Sequence, residues 1–310
     1  MNTGRKNNMK RILFVGDIHL GSRYAILKDG FKTQQGQRIT AADGFQQWAW
    51  KTWNEQFAPT YKNPDYLILM GDLTDGLGNI NLGVDQLTTN LDEQVKMATD
   101  LLRMLIGPNT IIYGINGSVY HSGRGSQTDL QVVQALEGNF VGDAFTFKVA
   151  GKKHDYTFQI SHGGSAPLIN RHTYILNEIR NAKEEKAEND VPMPDFLARA
   201  HQHTFLSYEE SNIAGFVVPC WQAYTPYSLK KTSIKRAKIG AVEVLLDQWE
   251  EPIVHKILYR PPISIPLNLD EIRKFEEERQ EIQRLQEEQE HKLDIKRMTK
   301  KRDLRENWNR

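Results

Sequence analysis

Six residues in four short motifs have the types and spacing to hold metal ions: Asp17, His19, Asp72, His162, His201 and His203. Gly16-Asp17-Ile18-His19 sets a carboxylate and an imidazole two positions apart. In an extended segment both would point the same way, so one cation can take both. Gly71-Asp72-Leu73-Thr74-Asp75-Gly76 supplies a second carboxylate, suited to bridging two cations in a phosphoryl-transfer site. His162 precedes Gly163-Gly164, where the backbone can come close to an ion or phosphate. His201-Gln202-His203 places two imidazoles within reach of neighbouring metals. Each motif alone has an ordinary reading, since Asp and Gly form turns and a lone His is more often structural than ligating. Their joint order, each closing an apolar run, points to metal-dependent chemistry.

The runs that must position these residues are 12–15, 66–70, 110–113, 156–160 and 196–200. Each has the length of a buried strand, the last being the least β-prone. Polar residues at the carboxyl ends of such strands are where α/β proteins place ligands. Helices are predicted over 41–57, with Phe45, Trp48, Trp53 and Phe57 on one side, and over 85–106, with Leu87, Leu91, Val95, Ala98, Leu102 and Leu105. A third is predicted over 168–188, turning from apolar to charged. Residues 213–218, 239–246 and 253–258 read as strands without long helices between them. Alternating α and β followed by a β-rich part fits two packed sheets with helices outside.

Composition changes after Arg260-Pro261-Pro262, which divides the chain into a catalytic domain over 1–262 and a charged helical extension over 263–310. The extension is rich in Glu first and basic from Lys292 onward, and reads as one long solvated helix. Arg279, Gln286 and Gln289 interrupt the seam a coiled coil needs, so a partner docked on this helix is the secondary reading. The hydrophobic fraction of 39% and charged fraction of 25% are ordinary for a globular protein. A net charge of +1 gives no global pull toward nucleic acid or an anionic membrane. Cys220 is the only cysteine, which excludes an intramolecular disulfide and thiolate clusters. No leader or bilayer-length apolar stretch is visible, so the expectation is a cytoplasmic protein without a membrane partner.

The succession of Asp-x-His, Gly-Asp-x-x-Asp, a third loop, a single His and His-x-His resembles the calcineurin-like metallophosphoesterase superfamily, over roughly the first two-thirds of the chain. The resemblance implies a four-layer α/β/β/α sandwich of two mixed sheets. It also implies a dinuclear centre of two divalent metal ions, drawn from Mn, Fe, Zn, Ni or Mg. Asp17, His19 and His203 would hold one metal, His162 and His201 the other, and Asp72 would bridge. The third motif departs from the usual Gly-Asn-His followed by an acid, because here Gly114-Ile115-Asn116-Gly117-Ser118-Val119-Tyr120-His121 stands in its place. That loop looks like the variant of phage and prophage phosphoesterases, as does the aromatic helix with Trp48, Trp50 and Trp53. By this alignment Ser118 replaces the metal-binding Asn, with Asn116 the alternative, and His121 stands for the catalytic His. Loss of the usual amide ligand would weaken the second metal site. Ala200 occupies a usual Gly position before His-x-His.

Arg124, flanked by glycines after His121, is a candidate phosphate ligand. Residues 22–40, with Arg23, Lys28, Lys32 and Arg38, read as a surface loop before they read as a phosphate-binding lid. The expected reaction is hydrolysis of a phosphate ester by a bridging hydroxide formed between the cations, with His121 protonating the leaving oxygen. Gly16-Asp17-Ile18-His19-Leu20-Gly21 also resembles the opening of DNA-repair exonucleases. A nuclease needs a basic track, and Lys152-Lys153, Lys230-Lys231 and Lys235-Arg236 are too scattered to make one. Nucleic acid therefore ranks below a generic phosphomonoester or phosphodiester substrate. A non-catalytic scaffold acting through the C-terminal helix is the remaining alternative.

Overall fold

The computed structural model describes residues 9–40, 44–77, 83, 85–121, 127–151, 154–163, 171–210, 212–225, 237–246, 251–261 and 284. The chain divides into two units, Met1–Pro261 and Pro262–Arg310. The charged helix expected over 263–310 lies outside the described residues, Arg284 excepted.

Strand and helix alternate through the first half of the chain. Strand β1 (Lys10–Val15) leads to a short hairpin, β2 (Phe31–Lys32) and β3 (Arg38–Ile39), and then to helix α1 (Gly44–Thr52). One π turn, Trp53–Phe57, joins α1 to α2 (Ala58–Tyr61), and β4 (Tyr66–Leu69), α3 (Leu91–Leu102) and β5 (Ile111–Gly114) follow. Next come α4 (Thr128–Ala135), β6 (Asn139–Phe140), β7 (Ala144–Val149), β8 (Tyr156–Ser161) and α5 (Arg171–Asn189). The last five strands are β9 (Phe196–Arg199), β10 (Leu206–Glu210), β11 (Ile213–Val217), β12 (Ile239–Leu246) and β13 (Ile253–Tyr259).

Six strands form one sheet in the order β13-β12-β1-β4-β5-β6, and five form a second in the order β10-β11-β9-β8-β7. Both are mixed: β1, β4 and β5 run parallel beside antiparallel β12, and β8, β9 and β11 run parallel between antiparallel β7 and β10. The two-residue period of the strands divides their side chains between two cores. Ile12, Phe14, Ile68 and Met70 pack with Phe158, Ile160, Phe196 and Phe216 between the sheets. Leu13, Val15, Leu67 and Leu69 face the other way, onto Phe45, Trp53, Phe57 and Leu101 of the helices. On the second sheet's outer face, α5 contributes Tyr174, Ile175 and Ile179. These layers are the α/β/β/α sandwich that the resemblance implied.

The π turn has a local cause. Pro59 has no N–H to continue an α-helical ladder, and the Ala58 N–H reaches back to the Trp53 carbonyl, widening one turn instead of breaking the helix. The widened turn carries Trp53 and Phe57 against Trp221, with Trp53 4.7 Å from Trp221 between ring centroids. Trp53→Ala should cost about 3–5 kcal/mol in urea unfolding, because a fully buried indole leaves a cavity. A loss below about 1 kcal/mol would mean that the outer layer closes over the gap.

Three expectations change. The helix predicted over 85–106 begins only at Leu91, because the Asn90 side chain accepts from the Asp92 and Glu93 N–H groups and caps it there. Residues 22–40 are more than a surface loop, since Ala25, Ile26, Leu27 and Phe31 are buried and carry the β2–β3 hairpin. Strands β7 and β10 add an edge on each side of the second sheet, where β10 exposes Ser207, Tyr208 and Glu209 and shows little apolar pattern. Among the described residues no helix is long and apolar enough to cross a membrane.

Candidate metal centre

The ends of β1, β4 and β9 carry five of the six candidate ligands in a left-handed backbone conformation: Asp17 (φ 48°), His19 (53°), Asp72 (48°), His201 (67°) and His203 (47°). L-residues pay about 1–2 kcal/mol each for this, and such strain persists where surrounding bonds over-determine it. Those bonds are present. The Asp17, His19 and Leu20 N–H groups donate to the Gly71, Asp72 and Leu73 carbonyls at 3.0 Å each, zipping the first loop onto the second beyond the paired strands. The Trp221 N–H holds the Asp17 carbonyl at 3.0 Å, and the Lys238 N–H holds that of His203 at 3.0 Å. Asp17 and His19 thus converge through a turning backbone rather than the extended segment their spacing suggested.

All six side chains meet. Asp17 Oδ1 lies 3.4 Å from His203 Nε2, and 3.8 Å from each of His19 Nε2 and His162 Nε2. Donor atoms of Asp17, His19 and His203 lie within 4.8 Å of one another, as do those of Asp17, Asp72, His162 and His201. A third such group joins His19, Asp72 and His121. Asp17 is therefore common to the first two groups, and Asp72 to the second and the third. Asp72 Oδ2 lies 3.0 Å from His162 Nε2.

The residues fit cations. Asp17 Oδ1 and His162 Nε2 are buried without a hydrogen-bond partner, an arrangement that is costly unless another ligand meets them. His162 Nδ1 is 2.6 Å from the Met70 carbonyl, which orients Nε2 into the cluster as outer partners of metal-bound imidazoles do. His19 Nε2 and His203 Nε2 stand 3.1 Å apart, so a proton between them or a cation taking both lone pairs must reconcile them. Carboxylates and imidazoles in this mixture suit Mn, Fe, Zn or Ni.

Charge is concentrated here. Burial alone would raise the Asp17 carboxyl, but His162 and His203 hold it well below the usual carboxylate range. Asp72 is lowered in the same way, against burial, by His162 and His121. Burial disfavours the imidazolium forms of His162 and His19, yet Asp72 and Asp17 raise His162 to about 10, and Asp17 and Asp75 raise His19 to about 9. For His203, burial is outweighed by the Cys220 side chain and Asp17, which raise it. Burial and the neighbouring His19 charge lower His121, and burial with His162 lowers His201. Two buried carboxylates held toward their ionised forms call for positive charge beside them, which cations would supply.

The two candidates of the third loop point in different directions. Ser118 donates its N–H to Asp72 Oδ1 at 2.8 Å, and its hydroxyl lies 3.0 and 3.2 Å from the two Asp72 oxygens. Asn116 turns its amide to Asp143 at 2.8 Å instead. His121 sits against His19, with ring centroids 4.3 Å apart, and its Nδ1 is 2.9 Å from the Asp75 carbonyl. Arg124 lies outside the described residues.

Two carboxylates here went unassigned in the sequence. Asp75 Oδ1 is 3.5 Å from Nδ1 of both His19 and His121, with Gln222 and Gln86 donating to its two oxygens at 3.4 and 3.5 Å. Its signal was present as the second acid of Gly-Asp-x-x-Asp. Asp129 is buried at the start of α4, and burial with the Asp72 charge raises it to about 6 despite N–H bonds from Leu73 and Gly117. Nothing in the local sequence marks it.

Comparison with known proteins places this geometry in a family. Residues 10–205 match a family model described as calcineurin-like phosphoesterase. No curated protein matches the chain. Among solved structures, wild-type Vps29 of Entamoeba histolytica complexed with Zn²⁺ is similar at 11% identity and a TM-score of 0.37, over 81% of this chain and 99% of that one. A novel archaeal phosphodiesterase is similar at 12% identity and a TM-score of 0.37, over 80% and 99%. A putative 5'-nucleotidase from Staphylococcus aureus is similar at 12% identity and a TM-score of 0.40, over 87% and 58%.

Proposed function

The chain belongs to the calcineurin-like phosphoesterase family, and from that premise we propose that it hydrolyses phosphate esters with two divalent cations held at the ends of β1, β4, β8 and β9. The observation that carries the reading is the pair of donor groups meeting at Asp17, whose buried Oδ1 has no hydrogen-bond partner. Asp17, His19 and His203 would hold one cation, and His162 and His201 the other, with Asp72 between them. Ser118 Oγ, 3.0 Å from Asp72 Oδ2, would take the part of the family's amide ligand in the phage-type reading of the third loop. Bound there, the cations would supply Lewis acidity toward the phosphoryl oxygens and make water acidic near neutral pH.

The chain's own residues do the rest. Asp17 and Asp72 supply the negative charge that retains cations, and Ser118 fixes the rotation of the Asp72 carboxylate through two donors. His121, with Nδ1 turned to the Asp75 carbonyl, presents Nε2 as the nitrogen that gives its proton to the leaving oxygen. Its lowered affinity for protons makes it a readier donor when protonated. Arg124 is assigned to the phosphate from sequence alone.

A substrate panel tests the reading: an aryl phosphate, an aryl phosphodiester and single-stranded DNA, each with Mn²⁺, Fe²⁺, Zn²⁺, Ni²⁺ or Mg²⁺. Turnover of an aryl ester is expected, lost on chelation and restored by added cation. Metal-free protein inert with every cation would overturn the proposal in favour of a scaffold. Cleavage of DNA alone would move the assignment to a nuclease.

A further inference from the structure

The second and third site loops touch through bare backbone. A Cβ on Gly71 would strike the Gly117 backbone, and one on Gly117 would overlap the Asp72 amide nitrogen and Oδ1. Two loops this close need something to set their register, and no strand pairing reaches them: the β4–β5 ladder ends at Leu69 opposite Gly114. Asp129 stands at the junction. One of its oxygens accepts the Leu73 N–H at 2.9 Å, and the other accepts the Gly117 N–H at 2.7 Å and the Asp72 N–H at 3.3 Å. It does not serve its own helix, whose N-cap residue, Gln127, makes no side-chain cap. A buried carboxylate spending both oxygens on two other loops is a clamp between them.

The geometry points to Asp129 as a positioning residue: it locks the second loop to the third, so that the Asp72 carboxylate and Ser118 face the cation site together. The clamp comes from the helix that follows the third loop. This inference rests on the reading of Asp72 as a cation ligand.

Calorimetric titration of the full chain with Mn²⁺ tests it, because affinity is read without any substrate. Asp129→Asn replaces one acceptor with a donor facing an N–H, and should weaken Mn²⁺ binding by roughly 10–100-fold. Asp129→Glu, which keeps the charge but shifts the acceptors by one methylene, should fall between that variant and the unaltered protein, and carries the test if the Asn variant does not fold. Thr128→Val is the control. Its hydroxyl ties the same helix turn to Thr74 at 2.7 Å but touches neither Asp72 nor Gly117, so Mn²⁺ affinity should hold. Unaltered affinity in both Asp129 variants would overturn the clamp while leaving the metal centre standing, as would an equal loss in Thr128→Val. Absence of Mn²⁺ binding by the unaltered protein would overturn both.

Discussion

Asp72→Asn is expected to remove bound cation and hydrolysis together. Asp72 is buried, touches His162 Nε2 at 3.0 Å and takes two donors from Ser118. The amide would lose the negative charge that retains a cation, and its NH2 end has no lone pair to offer one. Replacing an outer partner of a metal ligand commonly costs about 10–100-fold in affinity or activity, and a shared ligand should cost more than that. Elemental analysis of the purified variant, beside its kcat, gives the answer. Full turnover with normal metal content would remove Asp72 from the centre.

His121→Ala should behave differently: cation content preserved and kcat lower by roughly 10²–10⁴. His121 belongs to neither of the two donor groups assigned to cations, and its Nδ1 is spent on the Asp75 carbonyl. On the proposed reading, removing it would take away the leaving-group acid and leave the ligands in place. KM should change little, since the loss is confined to the transition state. Depletion of metal in this variant would make His121 a ligand, through its group with His19 and Asp72. Unchanged turnover would remove it from the mechanism.

These two variants separate cation retention from proton transfer. His19 contacts both functions, lying 3.1 Å from His203 on one side and in ring contact with His121 on the other. Asp75 stands behind both imidazoles, so its influence would reach cation retention and proton transfer alike.

Much of the scaffold was legible because its signals are local. Five apolar runs ending in polar residues are strands β1, β4, β5, β8 and β9, and the spacing of Phe45, Trp53 and Phe57 marks a helix whose apolar side packs inward. The start of α3 was misread because Leu87 continues the apolar rhythm, whereas its N–H is drawn to the Gly21 carbonyl at 2.7 Å. β10 was missed because an edge strand exposed to water needs no apolar alternation.

At the site, local sequence is enough to mark six candidate donors, since a short motif at a strand end carries its chemistry whatever surrounds it. How they come together is a matter of the fold. The His201 N–H reaches Asp17 Oδ2 across 184 positions of chain, and that fold-level closure, with Asp17 in both donor groups, has no counterpart in local spacing. The directions of Ser118, toward Asp72, and of Asn116, toward Asp143, are likewise set by the fold, as is the place of Asp129 on backbone N–H groups 56 and 12 positions away. A carboxylate that acts on backbone leaves no mark in the residues it holds, because every residue except proline offers the same N–H.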